Sequence, residues 1–375
     1  MRATRTMGFE EEFLLLDADG AAQPKAEAVL GWLRANPAPG ALRFEPELQP
    51  IQVEAVSAVH TDMAALRAEL LTSRERLAAA GLDCGVAVVP IGTAPRRWEH
   101  APDTAMADRY ACIRGRFEGA MRSYSACGAH VHVGVESRDL AVAVINHLRP
   151  WLPTLIAAGA NSPFHGGRDS GYDSWRIAEQ SRFPGFGLPP YTGSAADYDE
   201  RIATLIDCGV LVDDHMSFWL ARPSDAYPTV EIRAVDTAAT VDDAILQAVL
   251  SRGLVHKAVH ELAAGIEGPR FDAQLGAAAV WSAARFGLAG RAVDPVEGVR
   301  VPAIHLLDRM VEWISEELEE LGDLDLAHRL LRTLRFAGTG ADRQRAAARS
   351  GLAGLVDSFR LGRASAPEPM PALGP

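Results

Sequence analysis

The apolar positions of this chain change period as it runs. From Gly8 to Asp17, Phe9, Phe13 and Leu15 share one face of an extended segment, with Glu10, Glu12 and Leu14 on the other, which predicts a strand. Asp17-Ala18-Asp19-Gly20 is a turn signal, and a short helix is expected over Lys25 to Arg34, ended by the Pro/Gly-rich Asn36 to Gly40. Phe44 to Ser57 reads as extended, with Pro46 and Pro50 marking an edge or a bulge. Met63, Leu66, Leu70 and Leu77 fall at helical spacing, so a helix capped by Thr61 or Asp62 should run to about Gly81. A compact strand over Val86 to Gly92, a loop over Thr93 to Asp108 and a helix over Arg109 to Arg122 follow. Ala129 to Val135 alternates strictly, Val131, Val133 and Val135 against His130 and His132.

Asp139 to Ala160 reads as an apolar helix disturbed by Pro150 and Pro153. The stretch Asn161 to Ser194 is rich in Gly, Pro, Arg and aromatics and is expected to be a functional loop. Val210 to Phe218 and Val230 to Val235 read as strands. Asp242-Asp243 open a helix to about Ala264, with acids at the positive end of its dipole. Further helices are expected at Ala303 to Leu321, Leu324 to Ala337 and Ala341 to Ser350. Strands and helices interleave without a βαβ rhythm, the strands lie in the first two-thirds, and no repeat is visible, so the class is α+β. Residues 1–363 are expected to form one domain and 364–375, rich in Pro and small residues, a disordered tail.

Composition narrows the function classes. The chain has 375 residues, 48% of them apolar, with 37 Lys and Arg against 49 Asp and Glu, a net charge of −12. No basic surplus exists to neutralise a phosphate backbone, so a nucleic-acid partner is not expected, although a few cations could still hold a nucleotide. No run approaches the roughly 18 apolar residues of a membrane span, and no membrane partner is expected. Met1 to Met7 runs into Glu10-Glu11-Glu12 where a secretory signal would be apolar, and the four cysteines show no paired spacing. The cytoplasm is the expected location.

The chemistry lies in acids, histidines and arginines on strands. Glu10 and Glu12 leave the same face of a strand that is apolar on both sides, so they need a cation or protons between them. Glu45, Glu47 and Glu54 repeat the theme more weakly. His130 and His132 share the polar face of a valine strand and could share a ligand. Glu231 and Arg233 lie two apart on the strand that follows Thr229, as a structural ion pair or as a metal ligand beside an anion-binding fork. Arg168, Arg176 and Arg182 stand among Tyr172, Trp175, Phe183 and Tyr191 in the long loop, a mixture suited to anionic substrates. Gly338 to Arg345 has a phosphate-turn composition but no Gly-Lys-Ser/Thr ending. Many carboxylates with phosphate-seeking arginines fit magnesium and ATP better than zinc.

Five segments in order now carry a resemblance. Gly8-Phe-Glu-Glu-Glu-Phe-Leu-Leu-Leu-Asp17, Cys127-Gly-Ala-His-Val-His-Val-Gly134, Ser162 to Tyr172 with Trp175-Arg176 and Ser181-Arg182, Thr229-Val-Glu-Ile-Arg-Ala-Val-Asp236, and Gly338-Thr-Gly-Ala-Asp-Arg-Gln-Arg345 resemble the type 2 glutamate–cysteine ligases, a family of carboxylate–amine ligases. The resemblance spans about Gly8 to Asp357. It implies a curved, largely antiparallel six-stranded sheet forming a funnel with helices outside, similar to glutamine synthetase and the guanido kinases. It implies ATP, Mg2+ and small carboxylate and amine substrates, joined through an acyl phosphate. By similarity Glu10, Glu12, Glu47, Glu54, His130 and Glu231 would hold magnesium or lie beside it. Glu231 and Arg233 would be catalytic, with Arg233 on the transferring phosphoryl group. Arg343 and Arg345 would contact nucleotide, and Arg176, Arg182, Tyr172 and His132 would contact substrate. Alternatives are a ligase of the same mechanism with another acid or amine, a His-x-His metallohydrolase, or a non-catalytic nucleotide-binding protein. The helical last third leaves room for a homodimer.

Overall fold

The structure, a computed structural model, describes residues 4–37, 40–99 and 108–363. The expected tail at 364–375 and part of the expected loop before Asp108 lie outside them. Seven strands among the described residues form the main sheet: β1 (Met7–Leu16), β2 (Arg43–Pro46), β3 (Gln52–Val56), β4 (Ala87–Val89), β5 (Gly128–Gly134), β6 (Ala221–Pro223) and β7 (Thr229–Asp236). The order is β6-β7-β5-β1-β3-β2, with β4 also paired to β1, and every pairing is antiparallel. Among the described residues the main sheet thus has one strand more than the six expected. The ten-residue β1 meets β5 over Met7–Glu11, and its far half takes the three-residue β4 along the same edge.

Because β1 is central, both its faces are covered over much of its length. Phe9, Val131, Val133, Val230 and Ile232 face a helical layer that includes Ile145, Leu155, Val249 and Met310. Phe13, Leu15, Val53 and Val88 pack on Leu30 and Leu77. On the opposite face Leu14, Leu16, Val89 and Ile91 meet Phe164, Leu355 and Val356. The remainder of that second face carries Glu10, Glu12 and their neighbours. Glu11 points the other way and is matched by Arg74, whose Nε donates to it at 3.2 Å, in a pair almost without exposure. The middle acid of the Glu10-Glu11-Glu12 run therefore forms a structural ion pair with the helix Met63–Cys84.

Several elements depart from the expectations for identifiable reasons. Val210 to Phe218 is not a strand. Asp214–Met216 is a 3-10 turn, and only Phe218–Trp219 is extended, pairing in parallel with Phe186–Gly187. The polar Asp213-Asp214-His215 breaks the alternation, and Asp213 is drawn to Arg109, whose Nη2 donates to it at 2.9 Å. The helix expected over Arg109 to Arg122 divides at Glu118, whose φ is 36°. Asp139 to Ala160 divides into Arg138–Leu148 and Leu152–Ala158, bent by 66°, because Pro153 starts a helix more readily than it continues one. The long loop contains the short helix Trp175–Gln180, and helices at Ala195–Asp207 and Ala273–Phe286 were not anticipated. No single helix among the described residues is long and apolar enough to cross a membrane.

Candidate active site

Register assembles the site. Glu10 lies opposite His130, Glu12 opposite Glu54, and Glu231 opposite His132, all on the face that the helical layer leaves open. His130 Nδ1 is 3.0 Å from Glu10 Oε2, and its Nε2 is 3.5 Å from Glu12 Oε1. His132 Nε2 is 3.3 Å from Glu10 Oε1, while its Nδ1 is 2.9 Å from the Thr229 hydroxyl. Oxygen atoms of Glu12, Glu47 and Glu54 approach within 4.8 Å of one another, as do donor atoms of Glu10, Glu54 and His130 and of Glu10, His132 and Glu231. Glu231, 1% exposed, is held between two arginines: Arg222 Nε donates to Oε2 at 2.6 Å, and Arg233 Nη1 donates to Oε1. A cleft of about 420 Å³ opens here, lined by Glu10, Glu47, Glu54, His130, Arg222 and Arg233 and walled by Tyr110 and Phe218.

The electrostatics divide the site in two. Around Glu231 the cations win: burial pushes its carboxyl up, but Arg233, Arg222 and the two histidines hold it well below the usual range. Glu10 is likewise held low against its burial by hydrogen bonds from His130 and His132. Burial and Arg233 push His130 down to about 4, whereas the contact with Glu10 and the charge of Glu231 outweigh burial and raise His132. On the other side carboxylates face carboxylates. Burial and Glu47 push Glu12 up to about 8, burial raises Glu47, and burial with Glu10, Glu47 and Glu12 holds Glu54 well above the usual range. Three crowded acids that cannot all ionise alone form an all-oxygen donor set, which suits a hard divalent cation such as Mg2+.

A β-bulge shapes the end of β7. Pairing with β5 shifts between Ile232 and Val235, so Arg233 and Ala234 together oppose His130. Val235 is thereby returned to the helical face, and Asp236 is turned inward, where it accepts from Ser162 Oγ and Ser174 Oγ, each at 2.7 Å, and from the Asn161 N–H at 2.8 Å. Arg176 props the bulge. It is 1% exposed, its Nη2 donates to the Arg233 carbonyl at 3.0 Å and its Nη1 to that of Ala234 at 3.4 Å. Gly128 makes room for it: a Cβ there would lie 2.4 Å from Arg176 Nη2. The Gly128 N–H donates to Glu12 Oε2 at 2.7 Å.

The other expected residues lie elsewhere. Arg345 grips the long loop through Asp169 Oδ2 at 2.8 Å, Asp173 Oδ1 at 2.5 Å and the Tyr172 carbonyl at 2.8 Å. Arg343 Nη2 donates to Asp243 at 2.6 Å. Arg182 donates to Ser123 Oγ at 3.2 Å, and the Tyr172 hydroxyl accepts from Trp281 Nε1 at 3.3 Å. None of these four lines the cleft. Conversely, Arg222, Arg109, Tyr110 and His215 line it without having been singled out from the sequence. Arg222 could have been found by pairing the extended residues on either side of the Ser224–Pro228 turn, but Pro223 hides that short strand.

Glu179 beside this site gives a pH test. It is completely buried; Oε2 accepts from the Ser125 N–H at 3.0 Å, and His165 Nδ1 is 3.5 Å from Oε1. Burial, opposed by the Ser125 N–H and Arg182, pushes its carboxyl up to about 7. The folded chain therefore holds this proton more tightly than the unfolded one. The contribution of this group to stability is full below about pH 4.5 and is lost as pH rises through 7, about 3 kcal/mol in all. In urea unfolding at pH 5 and pH 8, Glu179→Gln should lack this part of the difference; an unchanged difference would refute the assignment.

Fold and site together define an ATP-dependent carboxylate–amine ligase. Residues 6–357 match the model of glutamate–cysteine ligase family 2, and the chain belongs to that family. It is 47% identical over 354 residues to a candidate glutamate–cysteine ligase 2-2 of Saccharopolyspora erythraea, covering 94% of this chain and 90% of the relative. It is 42% identical over 345 residues to a candidate glutamate–cysteine ligase 2 of Salinispora tropica, covering 91% and 90%. Among solved structures, the glutamate–cysteine ligase of Francisella tularensis in complex with AMP shares the fold with a TM-score of 0.66 at 12% identity, over 95% of this chain and 87% of that one. The bifunctional glutathione synthetase of Pasteurella multocida gives a TM-score of 0.67 at 16% identity over 95% of this chain, which spans about half (52%) of that longer protein.

Proposed function

We propose that the open sheet face is the inner wall of a funnel that holds ATP and Mg2+ and joins a glutamate-like carboxylate to an amine, with cysteine the first amine to test. The observation that carries this reading is the facing of two unlike charge sets: the buried Glu12 with the half-buried Glu47 and Glu54, within 4.8 Å of one another, and the arginines Arg233 and Arg222 gathered at Glu231. Glu12, Glu47 and Glu54, with Glu10, His130 and Glu231 bordering them, would hold the cation. Mg2+ supplies charge neutralisation on the phosphate oxygens.

The chain's own residues do the rest. Arg233, ordered by Glu231, offers its remaining N–H groups to the transferring phosphoryl group, where charge spreads in the transition state. A substrate carboxylate oxygen bonds to the γ-phosphorus as the bond to ADP breaks. The amine nitrogen then bonds to the acyl carbon, the carbon–oxygen bond to phosphate breaks, and the amine proton leaves. That proton passes to solvent in the open cleft, since burial and Arg233 keep His130 neutral and disfavour its protonation. Arg343 and Arg345 act at a distance, by tying the helix Gly340–Ala347 to Asp243 and to the long loop.

The test is ADP release from ATP and Mg2+ with L-glutamate plus L-cysteine, then L-glutamate with an amine panel, with mass detection of the amide. Release that requires both an acid and an amine is expected. A folded protein that forms no ADP with any acid–amine pair would overturn the reading. ADP formed only with another pair keeps the mechanism and replaces the substrates.

A further inference from the structure

A second cavity, of about 610 Å³, lies across a thin wall from the cleft. The wall is the extended pair Phe218–Trp219: Phe218 lines the cleft, and Trp219, on the other face, lines the cavity. Its lining is mostly apolar, with Trp219, Phe271, Val280 and Trp281 among its surfaces. The volume is in the range of sites that enclose a small organic molecule.

One polar group in this lining stands out. Arg149 is 6% exposed, its Nε donates to the Pro189 carbonyl at 2.9 Å, and its Nη1 is buried without a hydrogen-bond partner. The guanidinium lies 4.5 Å from the Phe271 ring centroid and 5.7 Å from that of Tyr191, over which Arg270 also stacks at 3.6 Å. Among the described residues no carboxylate comes within 4.0 Å of Arg149 or Arg270, and Glu267 nearby accepts from the Tyr191 hydroxyl at 3.4 Å. Arg149 is thus a buried cation held by ring faces and the Pro189 carbonyl, with no carboxylate to balance its charge. A buried guanidinium with an unfilled N–H is expensive unless an anion completes it. A carboxylate is the planar acceptor that its fork fits, and the aromatic walls call for an apolar body behind that carboxylate.

We propose that this cavity is a second binding site, separate from the catalytic cleft, which takes a small arylalkyl carboxylate with its carboxylate on Arg149 and its ring between Trp219, Phe271 and Trp281. The cavity needs no nucleotide and is occupied whether or not the chain turns over.

Binding of 3-indolepropionate and 3-phenylpropionate to the full-length chain is measured by calorimetry without ATP. One acid per chain is expected, with 3-phenylpropanamide binding at least tenfold more weakly than its acid. Ala277→Phe fills the cavity from an exposed position on the helix Ala273–Phe286 and should weaken acid binding at least tenfold with an unchanged thermal melt. Arg149→Gln should do the same, and the amide comparison and Ala277→Phe decide the matter if that variant does not fold. Glu231→Gln, altered in the cleft, should bind the acids as the native chain does. The proposal is overturned by no saturable binding of either acid, by equal binding of acid and amide, or by binding that survives Ala277→Phe or is lost in Glu231→Gln.

Discussion

Glu231→Gln should lower magnesium-dependent ADP formation by about 10³-fold. Its carboxylate accepts from Arg222 Nε at 2.6 Å and from Arg233 Nη1, in a site where Glu231 itself is 1% exposed. The amide keeps the shape but loses the charge that holds both guanidiniums. Arg233 is then free to turn from the phosphoryl position, and two cations face each other across a neutral amide. A stability loss accompanies the kinetic one, about 3 kcal/mol, at the lower end for a broken buried pair because both arginines keep some exposure. Steady-state ADP release and urea unfolding on the same preparation separate the two effects. Native turnover in the variant would remove Glu231 and Arg233 from the proposed machinery, whatever its stability.

Arg176→Lys should cost about 10²-fold in kcat with little change in KM for ATP. Arg176 touches the backbone of Arg233 and Ala234 at 3.0 and 3.4 Å and is sealed from solvent, so the expected effect is on the aim of Arg233 and not on substrate contact. A lysine has one ammonium where two N–H groups are used, and a displacement of about 1 Å at a reacting group is worth about that factor. Gly128→Ala tests the same contact from the other side, since its Cβ would fall 2.4 Å from Arg176 Nη2. A large rise in KM with kcat intact would instead make Arg176 a substrate contact, as its place in an arginine-rich loop first implied. Equal kinetics in all three proteins would dismiss it from both roles.

Much of the site was legible because strand periodicity is a local property. The alternation in Gly8 to Asp17 separates Glu10 and Glu12 from Phe9 and Phe13, and the structure keeps that separation. The His-Val-His run of β5 behaves the same way. Elements with strong local signals also formed close to where they were expected: Asp62 accepts from the Ala65 N–H at 2.8 Å and caps the helix Met63–Cys84, and Thr240 with Asp243 forms a capping box for Val241–Ala263. The misreadings lie where a distant partner decides. Phe218–Trp219 is extended because Phe186–Gly187 lies beside it, and Arg222 is informative only once β6 is seen against β7. Arg345, which the resemblance assigns to nucleotide, is held by Asp169 and Asp173, 176 and 172 positions earlier in the chain, a contact that no local pattern announces.

The sequence by itself therefore determined which side chains could share a face, where most helices begin, and, through five ordered segments, the family. It did so because alternation, capping and turn chemistry act over a few residues. The tertiary structure alone decided which faces meet. Register sets Glu12 against Glu54 and Glu231 against His132, the bulge at Arg233 and Ala234 turns Asp236 inward, and Arg176 fills the space that Gly128 leaves. These depend on close packing among segments 42 to 104 positions apart, and no local pattern encodes a contact of that span.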